Sequence, residues 1–373
     1  MMKERAYWVA WRQVNGVGAV LLRRLHEHFG TLEAAWEASP AELARVEGLG
    51  DRKIEGIVEE RSHLNPEGLY QQHCDKNPQF WTPADAEYPR LLLEIPSPPP
   101  ILYYKGKVQP EENAAEVPVV AIVGTRRPTE YGRRWTRRLS AVLAKRGLTV
   151  ISGMAAGIDS VAHQACISAR GRTVAVFGTG VDVVYPASNR LLYEQILEFG
   201  LVLSEYPAGT KPDRAHFPQR NRIVAGLSRA TIVTEAPKKS GALITAYLAN
   251  DFNRDVYALP GSLDNENALG CLGLLHRGAQ VILGEEELLD MLGDLPAVDV
   301  EKSSSPPPEI APPAIELERS LDRVLQAVPR ESTAFDAIAQ TTQMDTGAVS
   351  GALVQLELLG LVTQLPGMRY QRI

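Results

Sequence analysis

From residue 117 onward, short apolar, β-branched runs recur: PVVAIVGT, LTVISG, TVAVFGTG, LVLSE, ATIVTEA, DVYALPG and AQVIL. The segments between them are each long enough for one helix, such as 131–145, 158–169 and 241–252. Strands that are apolar on both faces and alternate with helices predict a mostly parallel sheet covered on both sides. The pattern therefore predicts a doubly wound α/β domain over 117–290.

The flanks read differently. Residues 1–62 predict short helices, with the phrases Val14-Asn15-Gly16-Val17-Gly18 and Val46-Glu47-Gly48-Leu49-Gly50 each followed by a helical pattern. Such turns resemble helix-hairpin-helix modules, whose helix-start N–H groups can hold a phosphate. They equally suit tight helix–helix turns and nothing more, and both readings stand at this point. Residues 63–116 are poorly periodic, with Pro83, Pro89, Pro96 and Pro98-Pro99-Pro100 ahead of the strand-like ILYYKG, and predict an extended connecting segment packed on the central domain. Residues 291–316 are rich in Pro and Ser and read as a linker. In 317–373, LERSLDRVLQAV is an amphipathic helix, the stretch from FDAIAQ to LELLGLV reads as helix, turn and longer helix, and TQLPGMRYQRI finishes as a wing around Pro366-Gly367. That is a winged-helix pattern, but Asp336 and a scarcity of Arg and Lys favour a protein-contact or structural role over major-groove reading.

Composition narrows the class. With 373 residues, 45% hydrophobic and 23% charged, the chain reads as a multidomain globular protein. Cys74, Cys166 and Cys271 are isolated and form no CxxC, which predicts neither a disulfide framework nor a zinc site and fits a reducing cytoplasm. No metal or other cofactor is implied. MMKERAYWVAWRQVNGVGA carries charges within its apolar stretch, unlike a signal peptide, and no run approaches 18 apolar residues, so neither export nor a membrane span is expected. The net charge of −6 argues at first against a polyanionic partner. Recognition depends on local clustering of cations, however, and not on the sum.

In open α/β sheets, ligands bind beyond the carboxyl ends of the strands. Those ends here read Gly124-Thr125-Arg126-Arg127, Ser152-Gly153 through Gly157, Gly178-Thr179-Gly180 and Lys238-Lys239-Ser240-Gly241. Glycine permits close backbone approach and hydroxyls add donors, so four such turns on one edge suit phosphate oxygens, though each alone reads as an ordinary strand-to-helix turn. No G-x-G-x-x-G follows Gly178-Thr179-Gly180, where the third place is Val183, and no Walker loop begins at Gly153 or Gly157. NAD binding and ATP hydrolysis are therefore disfavoured. Arg126 leaves the first strand aimed at a ligand position, while Arg133, Arg134, Arg137 and Arg138 read as a solvated helix face. A second cluster, Lys211, Arg214, Arg220 and Arg222, surrounds His216, Phe217 and Asn221. Cations with an interleaved aromatic are what a single strand needs, because phosphates are neutralised while an unstacked base lies on the ring. Phe217 could otherwise be a core plug, and Tyr185 carries the same ambiguity. Catalytic signals are thin: Asp159 and His163 at i,i+4 read as a hydrogen-bonded structural pair, and Glu205 and Glu235 at strand ends suit either bases or loop anchors.

In order along the chain, Val123-Gly124-Thr125-Arg126, Ser152-Gly153 to Gly157-Ile158-Asp159 with Ala162-His163, Gly178-Thr179-Gly180 to Tyr185-Pro186 and Asn189, Ser204-Glu205-Tyr206, Phe217-Pro218-Gln219-Arg220-Asn221-Arg222-Ile223, Ser240-Gly241-Ala242-Leu243-Ile244-Thr245 and Pro260-Gly261 resemble the bacterial DNA-processing protein A family (DprA, also Smf) over nearly all of 85–283. The resemblance implies an extended Rossmann-like domain that dimerises, binds and protects incoming single-stranded DNA, and helps load the recombinase RecA during natural transformation. It implies DNA contacts at Arg126, Arg214 and Phe217, with phosphates at the Ser152-Gly153 and Ser240-Gly241 turns. Two departures stand out: Ala187 follows Tyr-Pro where some members have Lys, and Leu272 replaces an Asn of the family phrase. The same region implies Leu272, Leu275 and Val281 as dimer residues. A competing reading is a nucleoside-monophosphate phosphoribohydrolase-like enzyme, whose Pro-Gly-Gly-x-Gly-Thr phrase is replaced here by Pro237-Lys238-Lys239-Ser240-Gly241. A third, sequence-specific regulation through the winged helix, lacks a basic stripe.

Overall fold

The computed structural model describes residues 2–293, 319–329, 333–342, 344–358, 362–365 and 369–372. They fall into two compact units, one within Met1–Val300 and one within Glu301–Ile373. Most of the expected linker and the expected wing turn at Pro366-Gly367 lie outside the described residues.

The N-terminal helices pack on their leucines. Helix Ala19–Phe29 buries Leu21, Leu22 and Leu25, and helix Asp51–Ser62 buries Ile54 and Ile57, around the fully buried Trp11. Each such side chain contributes about 1.5–3 kcal/mol. The two glycine hairpins clamp one another: Glu60 accepts the Asn15 backbone N–H at 2.8 Å and its Nδ2 at 3.0 Å, while Arg24 donates to the Glu47 carbonyl at 3.0 Å. Gly16 and Gly48 have φ of 75° and 91°, a backbone region that side chains disfavour.

The central sheet has nine strands: β1 (Phe80–Trp81), β2 (Leu102–Gly106), β3 (Val119–Gly124), β4 (Thr149–Ser152), β5 (Thr173–Phe177), β6 (Leu201–Ser204), β7 (Ala230–Glu235), β8 (Asp255–Ala258) and β9 (Gln280–Val281). Their spatial order is β1-β2-β6-β5-β4-β3-β7-β8-β9. Pairings from β3 to β9 are parallel, whereas β2 runs antiparallel to β6 and to β1. Strands β3 to β7 are almost wholly buried, as their uninterrupted apolar runs predict. One face packs on Ile223, Val224, Leu243 and Leu274, the other on Leu139, Leu143, Ile158 and Leu288, so helices cover both sides. This is the expected Rossmann-like doubly wound domain. The 63–116 segment is more than a connector, however. Beside the expected strand at ILYYKG, which is β2, it carries the short strand β1, and the two are pinned by Trp81 stacked on Tyr104 with ring centroids 3.9 Å apart.

The second unit has helices Arg319–Ala327, Phe335–Thr342 and Thr346–Leu358, with β10 (Thr333–Ala334), β11 (Val362–Leu365) and β12 (Arg369–Arg372) in the antiparallel order β10-β12-β11. Val324, Ile338, Val349, Leu353 and Leu356 form its core. Helix Thr346–Leu358 contains no Lys or Arg. Among the described residues, no helix is long and apolar enough to cross a membrane.

Candidate nucleic-acid interface

The strand order reverses at β3: the chain runs outward through β4, β5 and β6, then returns to β7 on the other side of β3. Two crossovers diverging from neighbouring strands leave a crevice at the strands' carboxyl ends. There a cleft of about 780 Å³ opens, lined by Gly124, Thr125, Arg126 and Arg127 at and after the end of β3, Gly153 after β4, Arg214, Phe217, Arg220 and Asn221 before and within the helix that leads into β7, and Lys239, Ser240 and Gly241 after β7. Gly124 is needed for this junction, since a Cβ there would stand 2.7 Å from the Glu235 carbonyl oxygen.

Within the cleft, cations flank an aromatic pair. Arg126 is exposed and its guanidinium carbon lies 5.6 Å from the centroid of the Phe217 ring. The Tyr185 ring lies 5.5 Å from that of Phe217, tilted by 36°. Phe217 is half-buried at the start of helix His216–Leu227, and a Cβ on Gly178 would come within 3.0 Å of its ring. Gly178 therefore makes room for the ring and does not line the cleft, and its carbonyl meets His216 Nδ1 at 3.1 Å. Phe217 is packed on one side yet still lines the opening, so it is not a sealed core plug. Arg127, Arg214 and Lys239 are exposed along the same cleft. Helix Gly241–Asp251 begins there, capped by Ser240 Oγ accepting the Ala242 N–H at 3.3 Å. The cleft's one lining carboxylate is Asp159, which is buried.

Several residues expected to contact a ligand are instead structural braces. Arg220 is buried and donates to the carbonyls of Gly153 and Val176, and burial lowers its pKa to about 10. A guanidinium at that depth must be paired, and Asp159 supplies the opposite charge. Asp159 in turn accepts the N–H groups of Gly153 at 3.1 Å and Ala155 at 3.3 Å, so the Ser152–Gly157 bend has already given two of its amides to a protein carboxylate. Burial raises the Asp159 pKa. Ser152 is buried and donates to the Ile122 carbonyl at 2.6 Å, and Thr179 donates to that of Val183 at 2.7 Å. Gly180 sits against Pro207 and Gly209. Gly157, at φ 89°, lets the backbone pass Thr125 and Arg126. Arg222 pairs with Glu205 through contacts of 3.2 and 2.7 Å and lines a different cleft. Lys211 and Lys238 are exposed outside the cleft lining.

The expected Asp159–His163 pair also separates: His163 Nδ1 lies 2.7 Å from Thr173 Oγ1, and burial drives the ring's pKa down to about 3. Glu235 is buried and accepts the Thr129 N–H and hydroxyl at 2.7 Å each and Asn265 Nδ2 at 3.1 Å. Asn265 and its neighbour Asn267, whose Nδ2 donates to the Arg127 carbonyl at 3.1 Å, were not anticipated from the sequence. The polar run Asp264-Asn265-Glu266-Asn267 after β8 is the signal that marks this loop. Of the expected dimer residues, Leu275 packs partly on the core, Leu272 is half-buried, and Val281 is exposed on the edge strand β9.

Residues 79–293 match the family described as DNA recombination-mediator protein A, 306–368 the DprA winged helix domain and 12–62 a SAM-like helix-hairpin-helix tandem. The chain is 52% identical to Protein Smf of Synechocystis sp., covering 99% of each chain, and 40% identical to DNA processing protein DprA of Bacillus subtilis over 56% of this chain and 69% of that one. The X-ray structure of DprA from Streptococcus pneumoniae superposes with a TM-score of 0.67 at 34% identity, covering 76% of this chain and 97% of the other. A Helicobacter pylori DprA structure, reported for its single-stranded DNA binding mode, gives a TM-score of 0.52 at 32% identity, covering 57% and 95%.

Proposed function

The chain belongs to the DNA recombination-mediator protein A family, and on that basis we propose that it processes DNA in transformation by holding a single strand in the cleft at the ends of β3 and β7. Arg126, Arg127, Arg214 and Lys239 would neutralise phosphates, and the Phe217–Tyr185 pair would stack an unpaired base. The observation that carries this reading is the convergence of Arg126, Arg214 and Phe217 on one solvent-open cleft. Duplex DNA hides the base faces that such a platform needs.

The action proposed is binding without a catalytic step. The carboxylates best placed to act as bases are engaged: Glu235 by three donors and Glu205 by Arg222. The bound strand would be handed to the recombinase RecA in the cytoplasm. The chain would act as a homodimer through the region of Leu272, Leu275 and Val281, and the exposed Val281 and Leu283 at the β9 edge support this placement.

Gel-shift titration of single- against double-stranded oligonucleotides tests the proposal, with preferential single-strand binding as the expected result. For single strands, log K falls against log salt with a slope of about 0.7 per phosphate contact. Arg126→Ala and Arg214→Ala should each flatten that slope by about 0.7. Equal binding of duplex, or unchanged slopes in both variants, removes the proposed groove.

A further inference from the structure

Helix His216–Leu227 separates the strand-binding cleft from a second opening. Phe217, Arg220 and Asn221 line the first, while Gln219 and Arg222 line the second, a cleft of about 700 Å³. Its opposite wall comes from the N-terminal hairpins: Arg12, the start of helix Ala19–Phe29, Arg24 and Lys53. Its charge is one-sided. Glu205, the one carboxylate in the lining, is already neutralised by Arg222. Arg12 is exposed and makes no hydrogen bond or ion pair among the described residues. Lys53 reaches only the Gly48 carbonyl, at 3.4 Å. Gly18 provides no side-chain cap, so the first-turn N–H groups of an eleven-residue helix border the same space.

A stacked pair of rings stands at the start of helix His216–Leu227, with Tyr206 lining the second cleft. His216, next to Phe217 in sequence, stacks on Tyr206 with centroids 3.9 Å apart and planes 23° from parallel, and the Tyr206 hydroxyl donates to Gln219 Oε1 at 2.9 Å. Aromatic faces followed by unpaired cations suit an unstacked polynucleotide, because rings take bases and cations track the backbone without regard to sequence. We propose that the strand seated at Phe217 continues over the Tyr206–His216 stack into this second cleft, where Arg12 and Lys53 hold its phosphates. The hairpins would then lengthen the binding site and do more than brace the fold. This inference rests on the strand-binding reading of the first cleft.

Fluorescence anisotropy with oligothymidylates from about 4 to about 16 nucleotides, a span typical of single-strand sites, separates the two ideas. Both side chains are exposed, so Arg12→Ala/Lys53→Ala should leave the thermal melt of the full chain unchanged. The shortest oligonucleotide should bind the variant as it binds the wild type. The longest should bind more weakly, with a salt slope reduced by about 1.4, so that raising salt from about 50 to about 200 mM costs the variant about sevenfold less affinity. Unchanged binding at every length overturns the extension and leaves the first cleft standing. A loss seen with duplex alone also overturns it. If Arg126→Ala spares the shortest oligonucleotide, the first cleft itself is wrong.

Discussion

Truncating Phe217 to alanine isolates the stacking contribution from the electrostatic one. The ring is backed by Gly178 and flanked by Tyr185 at 5.5 Å and the Arg126 guanidinium at 5.6 Å, so a base laid on it would be held between an aromatic pair and a cation. Removal of one base–aromatic stack costs about 1–3 kcal/mol, or roughly 5- to 150-fold in Kd. No charge is removed, so the dependence of log K on log salt should keep its slope, whereas Arg126→Ala flattens it. Because the ring is half-buried, the loss of stability should fall short of the roughly 3–5 kcal/mol typical of fully buried phenylalanines. Anisotropy titrations of an oligothymidylate at several salt concentrations, paired with denaturant unfolding, read both quantities. Phe217→Trp should restore binding. An unchanged Kd in Phe217→Ala, or a loss that follows unfolding in parallel, would refute the stacking role.

Three further outcomes follow from the braces. Arg220→Met leaves the Gly153 and Val176 carbonyls without their donor and Asp159 without its counter-charge, and should cost about 3–5 kcal/mol in denaturant unfolding. Gly178→Ala puts a Cβ 3.0 Å from the Phe217 ring and should weaken strand binding by about 1 kcal/mol, seen in the same titrations with no change in salt slope. His163 is kept neutral by burial, with a pKa of about 3 against an ordinary 6.5, so the unfolded chain takes up its proton first as pH falls. Stability should therefore decline from about pH 6.5 towards pH 3, by up to about 4–5 kcal/mol from this group, partly offset by Asp159, whose raised pKa acts in the opposite sense. Urea unfolding of His163→Asn across that range should show a shallower decline.

The order of apolar runs makes β3 to β9 legible, and for β3 to β7 the cause is burial on both faces, which leaves an unbroken apolar, β-branched signature. Strand β2 is legible as ILYYKG, whereas the two-residue β1 is obscured by the prolines that follow it, and the aromatic stacking of Trp81 on Tyr104 that fixes the pair joins residues 23 apart in the chain. In the cleft, the exposed Arg126 and Arg214 stand out in the sequence, since a cation at a strand end or loop has few inward partners, whereas residue type leaves the half-buried Phe217 open between a base platform and a core plug. Arg220 and Arg222 sit two residues apart on a helix and therefore point to different sides, one into the core and one toward Glu205. Nothing in residue type distinguishes such a brace from a ligand contact. The Ser152-Gly153 turn likewise reads as a phosphate site in the sequence, because the carboxylate that occupies the Gly153 and Ala155 amides lies in the helix beyond the turn.

Photo-crosslinking of a single strand carrying 4-thiothymidine, with mass-spectrometric mapping of the adducts, bears most directly on where the strand lies. Adducts at Phe217 and Tyr185, lost in competition with unmodified single strand but not with duplex, are the expected result. Adducts confined to the exposed arginines of helix Glu130–Lys145 or to residues 319–372 would contradict it.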